Sequence, residues 1–373
     1  MEMSRYSDMN SAKKIKVLII DDSAVMRQVL TSVLQHDLNI QVVGTAPNPI
    51  VARDKIKSLN PDVLTLDVEM PGMDGITFLE KLMRLRPMPV VMVSSHTEKS
   101  AMATLRALEL GAVDFVTKPY GGIREGMTPE VMKEIRAKVR AAANAHLRTE
   151  TRVPTVKPIL PKMFSSKKEC RNGIIVIGAS AGGTQAITEV LAKLPRSTPG
   201  IAIVQHMPPK FTASFAERLN NQCDLEVSEA KSGDLLKPGI ALIAPGGYHM
   251  SITRAPCGFA VRVYHDEPVK RHRPSVDVLF ESAASVAGKD AMGILLTGMG
   301  SDGAMGLHAM KQAGANTIAQ DEKSCVVFGM PEQAIRLGAV GQVVPLDRIA
   351  DAINIWSQPV DNPDRILRQD KSG

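Results

Sequence analysis

Short apolar runs separated by longer stretches of helical period recur in two series along this chain of 373 residues. The first series comprises residues 15–20, 40–44, 63–66, 90–93 and 113–116, each followed by a segment with helical spacing of its apolar positions. Strands alternating with helices predict a doubly wound parallel sheet. The second series opens at 174–177 and runs through a helical stretch at 185–194 and a strand at 201–204. Short strands and turns follow over 239–264, then a helix whose cap is Ser275, and a buried strand at 291–296. Two α/β domains are therefore expected, as the length alone favours.

Between the series the pattern lapses. Residues 146–171 carry prolines, serines and lysines without apolar period, the composition of a tether whose 26 residues span about 30 Å as a flexible coil. The expected layout is a first domain over 15–134, a helix end and basic linker over 135–171, a second domain over 172–358, and tails at 1–14 and 359–373.

Charge refines this picture only slightly. The formal net charge is +6, but the tether holds seven Lys and Arg against two Glu, so it carries nearly all of the excess. A solvated linker and an attraction to an acidic partner both fit that bias. With 3% aromatic residues there is little to stack nucleobases, which argues against nucleic-acid binding. The apolar runs are too short to span a bilayer, and no apolar signal core follows Met1 and Arg5, so a cytoplasmic protein without membrane insertion is expected. Cys170, Cys223, Cys257 and Cys325 form no C-x-x-C pair and read as reduced, structural thiols.

In a parallel sheet, functional residues gather beyond the carboxyl ends of the strands. In the first series those ends carry Asp21-Asp22, Asp67, Ser94 and Lys118-Pro119. Clustered carboxylates with a lysine suit Mg²⁺ and a phosphate; separately solvated acids are the plainer alternative. The ordered set, with Pro71-Gly72-Met73-Asp74-Gly75, resembles the receiver domain of two-component response regulators, of flavodoxin-like fold. The resemblance implies that Asp67 accepts a phosphoryl group from a histidine kinase. It also implies that Asp21, Asp22 and the backbone carbonyl of Glu69 hold Mg²⁺ with Asp67, and that Lys118 meets the phosphoryl oxygens. Ser94 and Phe115 take the switch positions, where threonine and tyrosine are common.

In the second series, Gly178-Ala179-Ser180-Ala181-Gly182 follows an apolar strand and reads as a G-x-S-x-G nucleophile elbow. A serine capping the next helix fits the same residues. A dinucleotide-binding turn fits poorly, because Ser180 replaces its second glycine. His206 follows the strand 201–204, and Asp302 lies in the glycine-rich loop after 291–296, where taken by itself it reads as the cap of the next helix. Three strand ends could thus bring nucleophile, base and orienting acid together. On spacing alone His249, His265 and His272 are rival bases, and Arg271, His272 and Arg273 could meet an acidic substrate or simply open a solvated helix.

The chain order Ser, His, Asp differs from the Ser, Asp, His order of α/β-hydrolases. With Gln205-His206-Met207, His272-Arg273-Pro274-Ser275-Val276-Asp277 and Leu296-Thr297-Gly298-Met299-Gly300-x-Asp302-Gly303, it resembles the chemotaxis protein-glutamate methylesterases, the CheB family. The resemblance implies a Rossmann-like catalytic domain with an antiparallel hairpin region, in which Ser180, His206 and Asp302 are catalytic and the Met299 backbone N–H binds the oxyanion. It further implies methylated chemoreceptors as substrate, deamidation of glutamines, a chemotaxis histidine kinase as phosphodonor, and no cofactor for the ester step. Ala181 departs from the family, where threonine is common. A tethered receiver could cover the catalytic edge, its docking biased by phosphorylation. A response regulator with a non-catalytic or DNA-binding output domain is the alternative.

Overall fold

The computed structural model describes residues 13–95, 97–118, 126–147 and 173–358. The chain divides into two units at residues 152 and 153, within the expected tether. The tether from residue 148 onward and most of the expected tails lie outside the described residues.

The first unit follows the predicted alternation: β1 (Ile15–Ile20), α1 (Ala24–Gln35), β2 (Ile40–Ala46), α2 (Pro49–Leu59), β3 (Val63–Asp67), α3 (Gly75–Leu85), β4 (Val90–Ser94), α4 (Glu98–Glu109), β5 (Asp114–Thr117) and α5 (Pro129–Ala143). Its five strands are parallel and ordered β2-β1-β3-β4-β5, the doubly wound flavodoxin-like arrangement. Helices cover both faces, which is why β3 and β4 are buried along their whole length and are mostly apolar rather than strictly alternating, with Thr65 buried inside β3. Polar residues start the helices: Ser23, Asn48, Asp74, Thr97 and Thr128 each accept an N–H from the first turn. Residue 134, the expected domain edge, falls inside α5, which goes on to bury Ile135, Val139 and Ala142.

The second unit begins with β6 (Ile174–Ala179), α6 (Gly183–Leu191), β7 (Gly200–Gln205), α7 (Phe211–Gln222), β8 (Glu226–Glu229) and β9 (Ile240–Ile243). A hairpin of β10 (His249–Ala255) and β11 (Gly258–Tyr264) follows, then α8 (Val276–Ala287), β12 (Ala291–Leu295), α9 (Ala304–Gln312), β13 (Asn316–Gln320), α10 (Met330–Arg336), β14 (Gln342–Val344) and α11 (Leu346–Trp356). Seven strands form one parallel sheet, β14-β13-β12-β6-β7-β9-β8, and β10 and β11 pair separately as an antiparallel hairpin. The chain starts in the middle at β6, extends to one side through β7, and then crosses to the other side through β12. The strand order therefore reverses at β6, the position where doubly wound sheets open a crevice. Every residue of β6, β7 and β12 is buried.

Three strands had no sequence signal of their own. β8 (Glu-Val-Ser-Glu) is an edge strand with charged ends, β14 has only three residues, and β13 begins with an exposed Asn316. The helix expected over 185–194 runs from Gly183 to Leu191.

Candidate active site

The register of the central strands places the three motif residues at one edge. Ala179 pairs with Gln205 across β6 and β7, and Gly178 with Leu295 across β6 and β12. Ser180 and His206 therefore leave the sheet side by side, and the loop carrying Asp302 leaves on the other flank. Backbone bonds lock the junction: His206 N–H donates to Ala179 O at 3.1 Å and Ser180 N–H to Thr297 O at 3.0 Å.

Ser180 does not cap α6. That position belongs to Gly182, whose φ of 74° lies in the left-handed region, and a Cβ there would meet Val326 at 2.6 Å. The small residue lets the chain turn sharply, so Ser180 stands at the apex of the turn.

Asp302 does not cap its own helix either, since Gly303 takes the position before α9. Its buried carboxylate reaches across to the start of α8 instead. Oδ2 accepts from Val276 N–H at 2.7 Å and from His206 Nε2 at 2.8 Å; Oδ1 accepts from Ser275 Oγ at 2.8 Å and from Asp277 N–H at 3.1 Å. Ser275 stands at the expected cap, yet its hydroxyl is spent on Asp302 and makes no capping bond. Gly303, with φ of 87°, makes this approach possible, because a Cβ there would meet Val276 at 2.6 Å and Leu295 at 2.7 Å. Burial alone would raise the Asp302 pKa, but the His206 hydrogen bond and the donors at the α8 N-terminus hold it well below the ordinary carboxylate range. Asp302 is thus an anion poised beside an imidazole.

His206 uses Nε2 for the acid, leaving Nδ1 buried and without a hydrogen-bond partner among the described residues. Chymotrypsin-type triads use the ring the other way round, with Nδ1 toward the acid. Of the rival histidines, His249 is buried and structural: Nε2 meets Glu267 O at 3.0 Å, and Nδ1 accepts Ser275 N–H at 3.3 Å. His265 is exposed and packs its edge on Tyr248, whereas His272 lies flat against His206. Arg273 Nη1 donates to the Asp266 carbonyl and Arg271 is exposed, so these cations are not gathered into one site.

Met299 sits in the loop beside Ser180, and its N–H makes no hydrogen bond among the described residues. The neighbouring backbone is held by Gly298 N–H to Val327 O at 3.0 Å and by Met330 N–H to Gly298 O at 2.8 Å. Sequence reasoning missed the Asp302 partners in α8, because a carboxylate capping a helix other than its own has no local signature.

In the first unit, carboxylate oxygens of Asp21, Asp22 and Asp67 lie within 4.8 Å of one another. Lys118 Nζ is 2.7 Å from Asp67 Oδ2 and 3.4 Å from Asp21 Oδ2, and the latter oxygen is buried without a hydrogen bond. Burial, opposed by Lys118, pushes Asp67 up to about 6 and raises Asp21 as well. Such a set of hard oxygens, with Asp21 and Asp67 buried and Asp22 exposed, only partly neutralised by one ammonium, fits a divalent cation. Glu69 N–H donates to Asp67 Oδ1 at 3.3 Å, and the Glu69 side chain accepts from Ser100 Oγ at 3.2 Å. Ser94 Oγ accepts from Thr104 Oγ1 at 2.7 Å, and the buried Phe115 ring has the Lys138 ammonium 5.2 Å from its centroid.

The profile described as CheB methylesterase matches residues 175–353, and that described as response regulator receiver domain matches 17–125. A protein-glutamate methylesterase/protein-glutamine glutaminase of Salmonella typhi is 56% identical over 339 residues, 90% of this chain and 95% of its own. A Geobacter metallireducens protein of the same description is 54% identical over 362 residues, covering 94% and 98% of the two chains. Among solved structures, the Thermotoga maritima CheB methylesterase catalytic domain aligns at 37% identity with a TM-score of 0.48, covering 49% of this chain and 97% of that one.

Proposed function

The chain belongs to the CheB methylesterase family, and on that premise we propose that it hydrolyses glutamate methyl esters on chemoreceptors under the control of phosphorylation at Asp67. The reading rests chiefly on the 2.8 Å bond between His206 and a buried, ionised Asp302, next to a serine at a strand apex. Ser180 Oγ attacks the ester carbonyl while His206 Nδ1 takes its proton, and Asp302 stabilises the imidazolium that forms. The Met299 N–H receives the oxyanion. As the tetrahedral intermediate collapses, the carbonyl–methoxy bond breaks and His206 returns its proton to the departing methanol. Water then adds to the acyl-enzyme by the same route, releasing the glutamate carboxylate and restoring Ser180. A glutamine amide passes through an equivalent intermediate and loses ammonia.

Asp21, Asp22, Asp67 and the Glu69 carbonyl would hold Mg²⁺, which supplies charge neutralisation for a phosphoryl group on Asp67. Lys118 pairs with that group, and Ser94 and Phe115 carry the change outward. A chemotaxis histidine kinase is the donor, and the cytoplasm is the compartment of action. No helix among the described residues is long and apolar enough to cross a membrane.

Methanol release from methylated chemoreceptors, with and without a small-molecule phosphodonor, tests the reading. Release stimulated by the donor is expected, and Ser180→Ala should lower turnover by on the order of 10⁶-fold. Absence of methanol under both conditions would overturn it.

A further inference from the structure

The segment between β11 and α8 contains a tight turn. Val269 N–H donates to His272 O at 3.1 Å and His272 N–H to Val269 O at 2.9 Å, closing a two-residue loop of Lys270 and Arg271. Both loop residues have positive φ, 48° and 72°, a backbone that glycine and asparagine adopt easily and that these residue types adopt rarely. Such conformations persist where surrounding contacts over-determine them. Here Lys270 provides the contacts: Nζ is 2.6 Å from the buried Asp277 carboxylate and donates to Ser301 O at 3.3 Å. Asp277 is itself tied to α9, its Oδ1 accepting Gly306 N–H at 2.8 Å.

The turn delivers His272 onto the face of His206. The ring centroids are 3.7 Å apart and the planes differ by 6°. Aromatic pairs usually sit offset or edge-on at 4.5–7 Å, so this nearly face-on contact is imposed by the turn rather than chosen by the rings. The Asp302 bond fixes one edge of the His206 ring but leaves it able to rock about that bond. A flat surface against its face removes that freedom, and with it the wander of the Nδ1 lone pair.

We propose that His272 is a positioning residue for His206, clamping the imidazole face and so fixing the direction of Nδ1, the atom to which the proposed mechanism assigns uptake of the Ser180 proton. This rests on the assignment of His206 as the base. The role is geometric, so another flat ring at position 272 should serve and a shape without a flat face should not.

The test uses the full chain carrying His272→Ala, His272→Leu or His272→Phe, with Ser180→Ala as the blank. Methanol release gives kcat and KM, and the rate of Ser180 labelling by a fluorophosphonate gives a readout independent of the receptor. We expect the Ala and Leu variants to lose about 10- to 100-fold in kcat and in labelling rate with KM nearly constant, and Phe to recover to within about threefold of the parent. The Leu and Phe pair decides the matter if the Ala chain melts early. Wild-type rates in the Leu variant, a Phe variant as slow as Leu, or a rise in KM with kcat held would each overturn the proposal. If the parent chain labels at Ser180 but releases no methanol, the esterase reading fails while labelling still judges His272.

Discussion

Four donors converge on one carboxylate, and that is what makes Asp302 an anion in a buried place. Ser275→Ala removes one of them and should cost about 1.5–3 kcal/mol, the worth of a hydrogen bond to a charged group, read as a lowered urea midpoint. Asp302→Asn should lower kcat by on the order of 10⁴-fold, because an amide cannot hold the imidazolium. The sign of the pH effect follows from the depressed pKa: the folded state prefers ionised Asp302, so its stabilisation is present above about pH 4 and fades as pH falls below that. Urea midpoints between pH 6 and 2 should fall more steeply in the parent than in Asp302→Asn. The ring reversal at His206 is testable by methylhistidine incorporation: a methyl on Nε2 should break the Asp302 bond, and a methyl on Nδ1 should abolish proton uptake from Ser180.

The turn at 269–272 is held against its own backbone preference, a strain of about 1 kcal/mol or more for each non-glycine residue in the left-handed region. Lys270→Met should strand the buried Asp277, whose carboxyl burial already pushes upward, and lower stability by about 1–2 kcal/mol. The figure is smaller than for a fully buried pair because Lys270 reaches solvent. Adding Asp277→Asn to that variant should recover part of the loss in the same melt. At this scale the sequence was legible in most strands buried on both faces, because β1, β3, β4, β6, β7 and β12 are mainly apolar runs with chemistry at their ends. It was illegible where the decisive contact crosses between elements. Ser275 looks like a cap and Asp302 looks like a cap, but only the fold shows that Asp302 caps the helix Ser275 begins, and nothing local announces that His272 will lie on His206. The edge strand β8 failed for a different reason, since an exposed edge tolerates the charges that hide it.

Across the whole chain, receiver and esterase are separate units whose communication must be carried by free-energy differences. Turning a repressed population from 1:99 to 99:1 takes about 5.5 kcal/mol of differential stabilisation. One charge-assisted hydrogen bond contributes about 1.5–3 kcal/mol, so stimulation by phosphodonor should be partial. Asp67→Asn should abolish it, the ratio of stimulated to unstimulated methanol release falling to unity. The carboxylate at the head of α8 has a consequence at this scale too. The carboxylate that bonds His206 also takes three bonds from Ser275, Val276 and Asp277 at the start of α8, and so holds that end of the helix to the loop before α9. A chain that loses them therefore loses thermodynamic standing as well as turnover, and destabilised chains are the ones cellular proteases clear.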